Sequence, residues 1–386
     1  MVEHVLVAPD KFKGSLTAAE VAAVVAGALA ALGIPAVELP VADGGDGTVD
    51  AAVAAGFTRT TVRVTGPTAE PVTASYARRA DTAVIEVAEA SGLRRLPGGF
   101  EPLTATSRGT GELIADAVRR GATRIVLGLG GSACTDGGAG LVQALGARLL
   151  DATGAYLPPG GAALRDLDRI DVSGFLDVSG LEFVVASDVD NPLLGPHGAA
   201  AVYGPQKGAT PEDVGVLEAA LGRLAAVATR THGLVGAVEH DDRVRPMGVA
   251  GAPGAGAAGG VGFAALAFLR ADVRPGIGYL LELLGFGDAV KGARLVITGE
   301  GSLDGQSLRG KAPIGVARAA AGAGVPVVAL CGRRALSDED LRAAGITAAY
   351  ALTDLEPDLG RCMAEAAPLL ARLTSHLAAG HLGQPA

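Results

Sequence analysis

The chain has 386 residues and a formal net charge of −9 without any dense run of Lys or Arg, which argues against nucleic acid as a partner because such binders cluster positive charge. Its length predicts two domains; 49% hydrophobic content supplies full cores, but aromatics are only 3% and Trp is absent, so Ala, Val, Leu and Ile must pack at close approach. Cys134, Cys331 and Cys362 are far apart and odd in number, and the six histidines are scattered, a pattern that gives neither a disulfide framework nor a zinc site.

The N-terminus carries Glu3 and too short an apolar run for a signal peptide. Residues 4–8 read as a buried strand, followed by the loop Pro9-Asp10-Lys11-Phe12-Lys13-Gly14-Ser15. Thr17 with Glu20 three residues on is a capping box that opens a helix to about residue 32. Lys11 and Lys13 therefore sit between a strand's C-terminal end and a helix, where ligands of open α/β sheets lie; a merely solvated lysine is the plain alternative. Residues 36–41 form a second strand, then come Asp43-Gly44-Gly45-Asp46-Gly47-Thr48 and a helix over 49–55. This β-loop-α-β-loop-α order predicts a parallel sheet. Two acids separated by two glycines let backbone approach a ligand with both carboxylates nearby, an Asp-Gly turn being the alternative.

From residue 60 the rhythm changes. Segments 60–64, 72–76 and 83–87 alternate as strands of an antiparallel or mixed sheet, with a boundary near Gly66-Pro67. A helix over 111–120 and a strand over 124–129 lead into a glycine-rich loop, 130–140. Gly128-x-Gly130-x-x-Ala133, with Asp151 further on, matches a loose dinucleotide fingerprint and gives the alternative of a NAD-dependent oxidoreductase of a small hydroxy acid. Gly137, Gly138 and Gly140 fall where that fingerprint's helix should run, at about 1 kcal/mol each. A longer loop fits better, with a helix from Ala139 and an anion cradle whose polar members are Ser132 and Asp136. Strand 182–186 ends in Ser187-Asp188-Val189-Asp190-Asn191-Pro192, suited to metal or hydroxyl contacts or to an ordinary turn. Gln206 and Lys207 stand between Gly204 and Gly208, and Thr210 caps a helix over 211–227. The uncharged stretch 247–269 is too rich in glycine for a membrane helix; it reads as a glycine loop and a short helix over 263–270, and the protein as cytoplasmic and away from membranes. A helix over 276–284 follows.

The chain is organised around 295–313, LVITGEGSLDGQSLRGKAP. A strand over 295–298 breaks into glycines with Glu300 and Asp304, then closes on Gly310 and Lys311 before a helix over 314–321. Unpaired N–H groups there favour an anion, and two carboxylates with one lysine suit a magnesium-bound polyphosphate. A P-loop is excluded, because Ala312 stands where Ser or Thr would hold the metal. Strand 326–330, helix 338–344, strand 348–352 and helix 359–377 complete the chain. The two ends resemble each other, so residues 1–65 and 286–386 are expected to form one parallel α/β domain. Residues 66–285 form an inserted α/β domain with a mixed sheet. The repeated polar loops point to a phosphate-handling cleft between them.

APDKFKGS (8–15), ADGGDGT (42–48), GTGELI (109–114), GGSACTDGGAG (130–140), SDVDNPLLG (187–195), YGPQKG (203–208) and ITGEGSLDGQSLRGKAP (297–313) occur in order. With them the chain resembles the glycerate kinase family of the bacterial glycerate 2-kinase type, from about residue 4 to 375. The resemblance implies a flavodoxin-like domain built from both chain ends plus an inserted domain. It also implies phosphorylation of D-glycerate by ATP and Mg2+, mostly on the 2-hydroxyl, by a monomer or homodimer. The matching positions imply Asp10, Lys13, Asp43, Asp46, Ser132, Asp136, Asp188, Asn191, Gln206, Lys207, Glu300, Asp304 and Lys311 as site residues; their roles follow from side-chain chemistry, which makes Asp188 the expected base, with Asp43 in reserve and Lys13 beside them. Gly130, Gly131, Ser132, Asp136, Gln206, Lys207 and Lys311 would serve ATP. Asp10, Lys13, Asp46, Asn191 and Arg309 would serve glycerate, and Glu300 and Asp304 would hold the metal. Cys134 and Lys11 depart from the Thr and Ser of many relatives.

Overall fold

The run HVLVAP buries five consecutive side chains as β1 (His4–Pro9), the continuous apolar pattern of a parallel strand covered on both faces. In the computed structural model, residues 3–232, 238–240, 243–245 and 248–383 are described, side chains excepted at 231–245 and at Arg309. Thr17 and Glu20 form the reciprocal capping box of helix Ala18–Ala31, and β2 (Ala36–Glu38) follows. Next come β3 (Thr58–Thr65), β4 (Pro71–Arg79), β5 (Thr82–Glu86) and β6 (Arg124–Gly128). β7 (Arg148–Leu150) and β8 (Arg169–Asp171) make a separate antiparallel pair. β9 (Glu182–Ala186) returns to the main sheet, and β10 (Val238–His240) with β11 (Arg243–Arg245) is a second small pair. β12 (Asp272–Arg274), β13 (Ala293–Leu303), β14 (Val327–Arg334) and β15 (Ala348–Ala351) complete the strands.

The chain divides into two compact units: Met1–Asp43, Asp50–Phe57 and Pro275–Ala386 in the first, Gly44–Val49 and Thr58–Arg274 in the second. The first unit holds a five-stranded sheet of order β15-β14-β13-β1-β2, parallel throughout. Renumbered within the unit this is 2-1-3-4-5, the flavodoxin-like order, with its reversal between β1 and β13. Val5, Val7, Leu295, Ile297 and Leu330 pack there against Val25, Leu29, Leu370 and Leu373. The second unit holds a six-stranded sheet of order β12-β9-β6-β5-β4-β3. It is parallel from β12 to β5 and antiparallel from β5 to β3. Its core joins Ile85, Ile125 and Val185 to Leu113, Leu141, Leu221 and Leu224, each fully buried side chain of this size contributing about 2 kcal/mol.

Four expectations need correction. The second unit takes Gly44–Val49 and then the chain from Thr58 rather than from residue 66, because β3 pairs with β4 along its whole length. The return falls at Pro275 rather than 286, because helix Gly276–Leu284 packs on helix Ala312–Gly322, where a Cβ on Gly315 would strike Ile277 at 2.3 Å. β13 runs on to Leu303, so Glu300 and Ser302 lie on a strand paired with Cys331 and Arg333; the glycines there permit close strands, a Cβ on Gly299 lying 2.0 Å from the Leu330 carbonyl oxygen. The expected helix over 359–377 is two helices, Leu359–Ala364 and Ala366–His381, and Pro368 sits in the first turn of the second.

Candidate active site

In the first unit the reversal of strand order gathers four expected residues. Asp10 follows β1; its N–H donates to the Gly299 carbonyl of β13 at 2.8 Å. Its carboxylate accepts from the Lys11 N–H at 2.7 Å and lies 3.8 Å from Lys11 Nζ. Burial, with Asp43 and Glu300 nearby, pushes its pKa up to about 7 against the pull of Lys11. Glu300 is buried on β13, accepts from Ser307 Oγ and lies 3.5 Å from Lys311 Nζ. Burial raises its pKa, and Ser307 and Lys311 oppose that.

Asp304 follows the strand. Its Oδ1 accepts from the Gln306 N–H at 2.9 Å and its Oδ2 from Ser302 Oγ at 3.2 Å; the Gln306 N–H lowers its pKa. Lys311 occupies the N-cap position of helix Ala312–Gly322; its ammonium, a donor only, faces Glu300 and is partly exposed. Lys13 is exposed, and a Cβ on Gly301 would come 3.0 Å from the Lys13 backbone nitrogen. Arg309 closes the short turn Ser307–Arg309; its side chain lies outside the described residues.

The second unit gathers its loops over the C-terminal ends of β5, β6 and β9. Here the glycines are occupied by the protein itself. A Cβ on Gly130 would lie 2.4 Å from Gly45 Cα, one on Gly128 would lie 2.6 Å from the Gly44 carbonyl oxygen, and one on Gly44 would lie 2.5 Å from that of Ala186. The Gly130 N–H donates to the Gly44 carbonyl at 3.2 Å. Gly131, with φ of +74°, turns the chain, and its carbonyl accepts from the Leu93 N–H. Asp46 stands 2.5 Å from Arg94, which also donates to Glu89 at 2.8 Å.

Asp136 and Lys207 differ most from expectation. Asp136 is fully buried and accepts from the Ser107 N–H and Oγ, each at 2.8 Å, and from the N–H groups of Gly138 and Gly140, each at 3.1 Å. Its side chain closes this loop on helix Ala139–Ala144. Lys207 is 2% exposed; Nζ donates to Ser132 Oγ at 2.9 Å and to the Cys134 carbonyl at 2.5 Å. Burial lowers its pKa, while Cys134 and Asp136 counter that. Both residues hold the 130–140 loop from inside. Asn191 is likewise engaged, donating to the His197 carbonyl at 2.8 Å and accepting from Tyr203 OH at 2.6 Å. Gln206 and Asp188 are exposed. Among the described residues no three His, Cys, Asp or Glu side chains group to hold a metal by themselves, and no helix is long and apolar enough to cross a membrane.

Three residues were missed in the sequence. Glu86 ends β5 within an apolar run and reads there as strand interior. Ser307 is a small polar residue among glycines, and Arg94 stands in a short 3-10 turn. A charged residue closing a β-branched run just before a helix is the signal that could have found Glu86. The oxidoreductase alternative loses its site: Gly130 packs on Gly45, no helix begins before Ala139, and Asp151 caps an exposed turn at Thr153 and Ala155.

Comparison with known proteins agrees. The model of the glycerate kinase family matches residues 5–381. The chain is 44% identical to a glycerate kinase of Bacillus subtilis (strain 168) over 97% of each chain. It is 45% identical to the glycerate 2-kinase of Escherichia coli (strain K12), over 85% of this chain and 84% of that one. A crystal structure described as a glycerate kinase 2 from Salmonella typhimurium LT2 superposes with a TM-score of 0.79 at 40% identity, covering 98% of this chain and 99% of that one. The chain belongs to the glycerate kinase family and is a kinase.

Proposed function

We propose that the protein transfers the γ-phosphoryl group of ATP to the 2-hydroxyl of D-glycerate, giving 2-phospho-D-glycerate and ADP. The observation that carries this reading is the set Asp10, Asp43, Glu300 and Lys311 at the strand-order reversal of the first unit, the place where open α/β sheets take ligands. Phosphoryl transfer needs positioning and charge neutralisation more than covalent chemistry, and these residues supply acid and base in one place.

Glu300 and Asp304 fit Mg2+: each is a hard oxygen donor with lone pairs left beside its present partners. Bound there, the metal would neutralise charge on the phosphates. Lys311 and the start of helix Ala312–Gly322 hold the phosphate oxygens. Lys13 or Arg309 pairs with the glycerate carboxylate, and Asp46 takes a hydroxyl group. Asp188 accepts the proton of the attacking hydroxyl, with Asp43 as the second candidate. Ser132, Asp136 and Lys207 shape the 130–140 loop instead of touching the nucleotide. The protein works in the cytoplasm.

Purified protein with ATP, Mg2+ and D-glycerate, followed by phosphorus NMR, tests reaction and regiochemistry together. A 2-phosphate signal is expected; ATP stable in the presence of glycerate would end the proposal. Asp188→Asn should reduce kcat at least about 100-fold, the lower scale of general base catalysis, and near-normal turnover would move the role to Asp43.

A further inference from the structure

We propose that Glu86 is a positioning residue for the loop Gly44–Val49: its buried carboxyl group takes the backbone N–H groups of Gly47 and Val49 and so fixes where Asp46 stands for glycerate. Glu86 is 1% exposed at the end of β5, paired in register with Gly128 of β6. Its Oε2 accepts from the Gly47 N–H at 3.2 Å and its Oε1 from the Val49 N–H. On the loop's other side the backbone packs closely: a Cβ on Gly44 would lie 2.5 Å from the Ala186 carbonyl oxygen, and one on Gly130 would lie 2.4 Å from Gly45 Cα. Asp46 therefore sits in a segment held at both edges.

Asp46 and Glu89 face Glu86; Arg94 pairs with both, and Arg95 lies 3.6 Å from Glu89, whose Oε2 also accepts from the Ser75 N–H. Glu86 itself has no ion pair among the described residues. Burial, then Glu89 and Asp46, push its pKa up to about 8, against the two backbone N–H groups. At neutral pH the group is mostly the neutral acid, which holds the loop without adding a third negative charge beside Asp46 and Glu89.

This inference rests on the assignment of Asp46 to glycerate, so the experiment has two arms. In full-length protein, Glu86→Ala should raise KM for glycerate about tenfold, the scale of one lost buried hydrogen bond, with KM for ATP unchanged. Glu86→Gln should raise it less and remove a pH inflection near 8 from the wild-type KM profile. Hydrogen exchange over residues 44–49 should quicken in both variants while β5 and β6 stay protected. If Glu86→Ala does not fold, Glu86→Gln carries both arms. A lower melting temperature with KM, pH profile and exchange all unchanged would overturn the proposal. If the wild type turns over no glycerate, the assignment of Asp46 falls, and the exchange arm alone decides whether Glu86 holds the loop.

Discussion

Residues 295–313 and 124–140 begin alike, with a buried parallel strand that runs into glycines and acids and then a helix. Their fates differ. In the first, Lys311 stays partly exposed, the Asp304 carboxylate accepts from Ser302 Oγ and the Gln306 N–H, and a Cβ on Gly305 would meet nothing within 4 Å. In the second, Asp136 and Lys207 are buried, and Cβ atoms on Gly130, Gly137, Gly138 and Gly140 would all strike neighbours at 2.4 Å or less. Glycine content alone thus does not separate a loop with open space beside it from one that lets protein backbones touch. What a methyl group would strike beyond the strand end does separate them, the 2.0 Å approach of Gly299 to the Leu330 carbonyl oxygen lying within β13.

The largest expected effect attacks the packed loop. Gly138 has φ of +75°, and its Cβ would lie 2.3 Å from Ala264 Cβ and 3.3 Å from Val261 Cα. Gly138→Ala combines left-handed strain of about 1–2 kcal/mol with overpacking of about 1–3 kcal/mol. Urea unfolding should show a loss of about 2–5 kcal/mol or no folded protein at all. A midpoint equal to wild type would erase the distinction drawn above.

The two lysines give the next contrast. Lys207→Met leaves Ser132 Oγ and the Cys134 carbonyl without their donor, so a stability loss of about 2–4 kcal/mol is expected. Lys311→Met removes an ammonium whose side chain is 36% exposed; stability should move by no more than about 0.5 kcal/mol, while KM for ATP rises about tenfold or more. Reversal of that pattern in parallel melting and kinetic assays would return Lys207 to the nucleotide.

A pH-dependent effect belongs to Glu86. Its folded pKa of about 8 lies above the 4.5 of a free glutamate side chain, so the native state keeps a proton that the unfolded chain releases. This contribution to stability is complete below about pH 4.5 and is lost as pH rises to about 8. Glu86→Gln cannot ionise, so its stability relative to wild type should grow with pH across that window, by at most about 1.4 kcal/mol per pH unit, and then level off. Denaturant midpoints at pH 5, 6, 7 and 8 give the comparison; a constant difference would mean that the acid is ionised throughout.

Much of the fold was legible in the sequence because its signals are local. The Thr17–Glu20 box, the run before Asp10 and Pro211 after Thr210 each declare an element from neighbours along the chain. Strand pairing is not local: β3 belongs to the second unit only because Tyr76 and its neighbours on β4 lie opposite it. The site divides in the same way. Asp10 and Asp43 were legible as acids that follow strands and Lys311 as a lysine at a helix start, while Glu300 was legible as an acid among glycines although it lies within β13. The burial of Lys207 was not, since Ser132 and Cys134 lie more than seventy positions away, and neither was Glu86, whose partners Gly47 and Val49 come from another loop.

The smallest expected effect tests the open loop with the mildest change. Gly305 is exposed, has no positive φ, and a Cβ there would touch nothing. Gly305→Ala should therefore leave stability unchanged or raise it by up to about 1 kcal/mol through the unfolded chain. The space beside Gly305 has value only if a ligand enters it, next to Asp304. KM for ATP should then rise about threefold, a difference of about 0.7 kcal/mol, with unfolding curves at or above wild type. A glycine whose methyl weakens substrate binding but not folding is the counterpart of Gly138, whose methyl weakens folding itself. Equal KM values for Gly305→Ala and wild type would place the phosphates away from this turn and leave Lys311 as their contact from the first unit.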